Sequence, residues 1–114
     1  MKSGLGVTLA AAVVTVSVFA GAAVPASAAD VDAGRKKAAT QCAVCHGTNG
    51  MAQLPEAPNL AGQVEMYLVK ALGDYRSGAR TNEMMTIVSK DLSDADIENL
   101  AAWYASIKIE VTPP

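Results

Sequence analysis

Three stretches of the chain repeat apolar side chains at helical spacing. Over residues 64–77, Tyr67, Ala71 and Tyr75 recur at i, i+4 and i+8, with Leu68 and Leu72 beside them. Gly78 then stands where a helix C-cap is expected. Over residues 94–107, Ile97, Leu100, Tyr104 and Ile107 follow the same period. Ser93 with Asp96 three residues on forms a capping-box pattern with Asp in place of the usual Glu, and Asp94, Asp96 and Glu98 suit the positive end of that helix. The third stretch, residues 32–41, is rich in Ala, Lys and Arg, and Asp30 or Asp32 can cap its start. Between it and residues 64–77, the segment 47–62 carries Gly47, Gly50, Pro55, Pro58 and Gly62 and reads as an irregular loop. A loop of that length in a small domain is usually functional or wrapped round something. Residues 79–92 form a second connection, with a short helical piece expected around 86–89. Strand signals are weak, so the fold class is all-α.

The remaining apolar stretch has a different character. Residues 5–24 contain no charge, follow Met1 and Lys2, and run into Pro25-Ala26-Ser27-Ala28-Ala29-Asp30. A basic start, an apolar run and a small-x-small sequence are the three parts of a secretory signal peptide. Cleavage after Ala28 divides the chain into a leader at 1–28 and a domain at 29–114. The rival reading is an uncleaved anchor, because about 20 apolar residues can span a bilayer. The Ala, Gly, Thr and Ser content makes a weak membrane helix, and both readings export the globular part.

Composition narrows the picture further. A chain of 114 residues holds one small domain, and its formal charge of −2 becomes −3 when Lys2 leaves with the leader. That balance excludes a strongly basic nucleic-acid binder, and the length excludes a large multi-domain enzyme. After residue 28 the only aromatics are Tyr67, Tyr75, Trp103 and Tyr104. A domain of this size draws only a few kcal/mol from its own core and often needs a staple. Cys42 and Cys45 could close only a very short loop, which constrains the unfolded chain little. Something else is expected to fill the middle.

Cys42-Ala43-Val44-Cys45-His46 is the most informative segment. Cys-x-x-Cys-His is the attachment signal for c-type haem: two thiols add across two vinyl groups and the His coordinates iron. Residues three apart on a helical turn share a side, so both sulfurs can reach neighbouring vinyls. Three other readings compete. A thioredoxin-like pair should follow a strand in a βαβ pattern, which is not visible here. A closed zinc site wants four Cys or His ligands, whereas the chain has two Cys and one His. The third is a chance occurrence in a secreted disulfide protein.

Over essentially its whole length after residue 28, the sequence resembles the small class I c-type cytochromes of bacteria, monohaem electron carriers of the periplasm. The matching residues begin with Cys42, Cys45, His46 and Gly47, then Pro58-Asn59-Leu60-Ala61-Gly62-Gln63 and Tyr67-Leu68. They continue with Tyr75-Arg76-Ser77-Gly78-Ala79-Arg80, Asn82 to Met85, Leu92-Ser93-Asp94 and Leu100-Ala101-Ala102-Trp103-Tyr104. The later pieces are weak singly and specific in this order and spacing.

The resemblance implies a cytochrome c-like fold, three main helices and loops round one covalently bound haem c, with Cys42 and Cys45 as thioethers. It also implies His46 as one axial ligand and a downstream Met as the other. Met84 and Met85 are both available. The family-like register Asn-x-x-Met, with Leu92-Ser93 seven and eight residues later, selects Met85, leaving Met84 as the alternative. Met51 and Met66 read as packing. The Pro58 carbonyl is expected to accept the Nδ1–H of His46. Gly34 is expected to face Leu100 and Trp103 where the terminal helices cross. Trp103 reads as packing; Tyr67 and Tyr75 read as core, with either hydroxyl also able to meet a haem propionate; Arg80 and Asn82 read as haem-propionate partners or solvated loop residues. Lys36, Lys37 and Lys90 offer a local basic rim.

Ligation by His and Met on both haem faces leaves one-electron exchange as the chemistry, so the implied role is a soluble periplasmic carrier rather than an enzyme. Its partners would be redox proteins, donors and acceptors, with no nucleic acid and no membrane insertion after leader removal. The alternative is the cytochrome c subunit of a larger periplasmic redox enzyme, such as a flavoprotein sulfide dehydrogenase. A third reading, an enzyme or gas sensor with five-coordinate iron, would need the Met to be absent or labile.

Overall fold

The computed structural model describes residues 28–114, together with residues 1 and 4. The apolar leader, residues 5–24, lies outside the described residues. Five helices follow in order: α1 Val31–Gln41, α2 Ala43–His46, α3 Glu65–Ser77, α4 Glu83–Ser89 and α5 Asp94–Ser106. No strand occurs among the described residues, so the fold is all-α.

The helix boundaries follow from local chemistry. Asp30 caps α1 by accepting from the Ala33 N–H at 3.0 Å, and its own N–H donates to the Asn99 side chain at 2.7 Å. At α5 the capping box is complete: Ser93 Oγ accepts from Asp96 N–H and Asp96 Oδ2 accepts from Ser93 N–H, each at 3.0 Å. Two orphan donors are satisfied at once, so the shorter Asp serves in place of Glu. α3 ends on Gly78 at φ +82°, where a Cβ would be strained. The helix at 83–89 starts three residues before the expected piece because Asn82 is a strong N-cap. Its Oδ1 accepts from Met84 N–H at 3.1 Å and Met85 N–H at 3.0 Å.

α1 packs on α5, α3 packs on both α5 and α4, and α2 follows directly on α1. The core gathers Ala38, Leu68, Leu92, Ile97, Leu100, Ala101 and Tyr104. It is a thin core for its length, with Leu100 the one large apolar side chain buried to under 2% exposure among the described residues. Arg76 ties α3 to the start of α5, donating to the Leu92 carbonyl at 2.9 Å and to Asp94 Oδ1 at 2.6 Å.

The terminal helices cross at Gly34, with one difference from expectation. A Cβ there would lie 1.9 Å from the Asn99 carbonyl oxygen and 3.0 Å from Trp103 Cβ, so the close neighbour beside Trp103 is Asn99 backbone rather than Leu100. Met66, in the first turn of α3, is 83% exposed and does no core packing.

Candidate cofactor site

α1 stops at Cys42, whose N–H still reaches the Ala38 carbonyl at 2.9 Å, and α2 opens on the next residue. The His46 N–H closes this turn on the Cys42 carbonyl, also at 2.9 Å. Cys42 and Cys45, three apart on the turn, are partly buried, not joined to each other, and line one cleft. His46 lines it too and is only 6% exposed.

His46 Nδ1 lies 2.8 Å from the Pro58 carbonyl oxygen. A carbonyl only accepts, so this contact assigns the ring proton to Nδ1 and leaves the lone pair on Nε2. Pro58 belongs to a loop held from several sides. The Gln53 N–H donates to the Cys45 carbonyl at 2.8 Å, and the Ala52 N–H donates to Asn59 Oδ1 at 2.7 Å. The Gly50 carbonyl accepts from Leu60 and Ala61 at 2.7 and 3.1 Å. Gly50 itself has φ +76°, and a Cβ there would lie 2.7 Å from Ala61 N and 3.0 Å from Tyr104 Cδ1. The loop thus lies on α5, which explains why glycine stands at that position.

The cleft measures about 690 Å³ and is walled by α2, the 47–62 loop, α3, α4 and α5. That volume is in the range of cofactor sites. Both adjacent methionines of α4 reach it, but Met84 is 57% exposed whereas Met85 is partly buried. Successive helix positions point about 100° apart, so the two sulfurs cannot serve one place equally.

The electrostatics of the cleft are set by burial. Burial pushes the Cys42 thiol above its ordinary range, opposed by the neighbouring Tyr104 hydroxyl and by Lys37. Burial, reinforced by the adjacent Cys42, raises the Tyr104 hydroxyl strongly. Both groups are therefore neutral at ordinary pH. Cys42 packs against the core cluster that includes Tyr104 and both line the cleft, yet the Tyr104 hydroxyl has no hydrogen-bond partner among the described residues. At the more exposed end, Arg80 donates to the Tyr67 hydroxyl at 3.4 Å, and its guanidinium lies 4.7 Å from the centre of the Tyr75 ring. Among the described residues no three His, Cys, Asp or Glu side chains gather as ligands for a bare metal ion.

Several expectations for individual residues change on this view. Tyr67 and Tyr75 are cleft-wall residues rather than core, and Tyr67 is 47% exposed. Met51 is 44% exposed rather than packed. Trp103 does not line the cleft; it packs at the α1–α5 crossing with Arg35 over its ring. Lys37 is engaged by Asp96 at 3.1 Å and is not a free rim charge. Tyr104 was legible only as an apolar helix position. Its hydroxyl in the cleft carries no period of its own, and the sole hint was a tyrosine where the pattern asks for a hydrocarbon.

Residues 31–108 match the cytochrome c family. The chain belongs to the cytochrome c family. Among curated proteins, this cytochrome c domain is 45% identical over 85 residues to cytochrome c4 of Pseudomonas aeruginosa, covering 75% of this chain and 42% of that protein. It is 43% identical to cytochrome c-554(548) of Halomonas halodenitrificans, covering 69% of this chain and 98% of that one. It is also 42% identical to a thiosulfate dehydrogenase electron acceptor of Thiomonas intermedia, over 61% of this chain and 32% of that protein. The chain thus spans about two fifths of the cytochrome c4 it matches and nearly all of cytochrome c-554(548). Among solved structures, reduced recombinant cytochrome c4 from Pseudomonas stutzeri superposes with a TM-score of 0.65 at 40% identity, over 71% of this chain and 47% of that chain.

This is a small bacterial c-type cytochrome, of a family of electron carriers that hold haem c covalently. The cleft fits such a group. It offers an imidazole nitrogen with a free lone pair, two unpaired thiols, methionine sulfur and an apolar wall. It also holds a buried hydroxyl with no partner among the described residues.

Proposed function

We propose that this cytochrome c is an exported one-electron carrier, with one haem c attached through Cys42 and Cys45 and ligated by His46 and Met85. The supporting observation is that all four side chains line one cleft, with His46 held in a single tautomer. A haem bound there supplies one-electron exchange between ferric and ferrous iron. Pro58 orients the His46 ring and raises the basicity of Nε2, as carbonyl partners of ligating histidines do. Met85 is preferred to Met84 because it is the more buried of the two residues. Methionine sulfur and an apolar wall both favour the less charged, reduced centre. With His46 and Met85 both holding the iron no place would remain for a substrate, so the chain would pass electrons between proteins. The third reading, with a missing or labile Met, is disfavoured by the two sulfurs on the cleft wall.

The periplasm is the proposed compartment, with residues 1–28 removed as a signal peptide. Donors and acceptors are other redox proteins. A second reading, electron acceptor or cytochrome subunit of a periplasmic dehydrogenase, draws support from the likeness to a thiosulfate dehydrogenase electron acceptor. Mass spectrometry of the protein from its native host tests the main reading. The expected mass is residues 29–114 plus one haem; a colourless chain with free or mutually joined thiols overturns it. Native size separates the two roles, since a stable large complex removes the free carrier.

A further inference from the structure

We infer that the Tyr104 hydroxyl donates a hydrogen bond to the Cys42 sulfur in its thioether form, fixing that attachment arm and raising the reduction potential of the site. The inference rests on the attachment through Cys42 proposed above. Tyr104 is 3% exposed, its hydroxyl has no hydrogen-bond partner among the described residues, and it lines the cleft. The ring cannot swing out to water. Its backbone carbonyl accepts from the Gly62 N–H at 2.9 Å, and its edge lies against Gly50. Buried hydroxyls in native proteins nearly always find a partner, so this one points to an acceptor created later in the life of the chain.

Cys42 provides that acceptor by a change in its own chemistry. As a thiol, its sulfur both donates and accepts weakly. In attachment the S–H adds across a vinyl double bond: sulfur bonds one carbon, hydrogen the other, and the step is redox-neutral overall. The product sulfur has no hydrogen and can only accept, which leaves Tyr104 as the donor of the pair. Lys37, whose charge acts on Cys42, is already bound to Asp96 at 3.1 Å. A donor directed at that sulfur puts the positive end of its dipole beside the attached group in a buried site, which favours the more electron-rich state.

The test compares wild-type holoprotein with Tyr104→Phe, alone and in a Cys42→Ala background that keeps the Cys45 linkage. Tyr104→Phe is expected to keep both covalent linkages and to lower the reduction equilibrium about threefold, roughly 30 mV at 59 mV per tenfold. In the Cys42→Ala background the same change should shift nothing. If the variant does not fold, proton NMR of reduced wild-type protein decides instead. A slowly exchanging Tyr104 hydroxyl proton close to the Cys42 β-hydrogens is expected, and its absence overturns the inference. Equal potentials with and without the hydroxyl, or an equal shift whether or not Cys42 is present, also overturn it. Wild-type protein without covalent haem would remove the functional reading as well. Covalent haem with an unmoved potential removes this inference alone.

Discussion

Gly34 on α1 meets the backbone carbonyl of Asn99 on α5 so closely that a Cβ would lie 1.9 Å from the oxygen. The obstacle is main chain, which cannot rotate away as a side chain would. Gly34→Ala must therefore push the two helices apart. The expected loss is about 3 kcal/mol, the upper part of the usual overpacking range, read as a lower thermal unfolding midpoint of the holoprotein. Asn99→Ala should be milder, since it removes only the side-chain acceptor of the Asp30 N–H.

Asp96 predicts a pH dependence. The Ser93 backbone N–H, with Lys37 adding, holds its carboxyl below the usual carboxylate range. The folded form therefore takes up a proton less readily than the unfolded form. The resulting stability is present above the unfolded value of about 3.9 and is lost as pH falls through the folded one. Urea midpoints measured across acid pH should decline less steeply in Asp96→Asn than in wild type.

The two methionines should behave differently. Met85→Ala is expected to abolish the long-wavelength absorption band that marks sulfur ligation of ferric haem, and to let carbon monoxide bind the reduced form. The reduction equilibrium should drop more than tenfold, or more than about 59 mV. Met84→Ala should keep the band. The reverse pattern would assign ligation to Met84.

Asn82 caps the turn that carries both sulfurs, accepting from two consecutive backbone amides. Asn82→Ala should cost about 1 kcal/mol and loosen the start of α4. The same band should then weaken at temperatures well below global unfolding, whereas Thr81→Ala, outside the cap, should leave it unchanged.

The three long helices and the Cys-x-x-Cys-His segment were legible in the sequence, because helix period, caps and motif spacing are local properties. α3 and α5 match their expected spans to within a residue at each end, and α1 begins one residue early at Val31. α4 was half legible: a short helical piece was expected over its second half, while the Asn82 cap that sets its start went unread. Tyr67 and Tyr75 line the cleft rather than the core, and the sequence left both places open because helical period shows which face is apolar and not whether that face meets core or cofactor. The partnerless hydroxyl of Tyr104 depends on what two distant segments bring together, and no local pattern encodes that.

The Gly62 amide hangs on the carbonyl of Tyr104, and Gly50 rests against that same ring. The wall carrying Pro58 is thus anchored by a helix that follows it in the chain. Cys42, Cys45 and His46 precede α5 in the chain, so a ligating enzyme would reach both thiols most easily while α5 has yet to dock and the door still stands open.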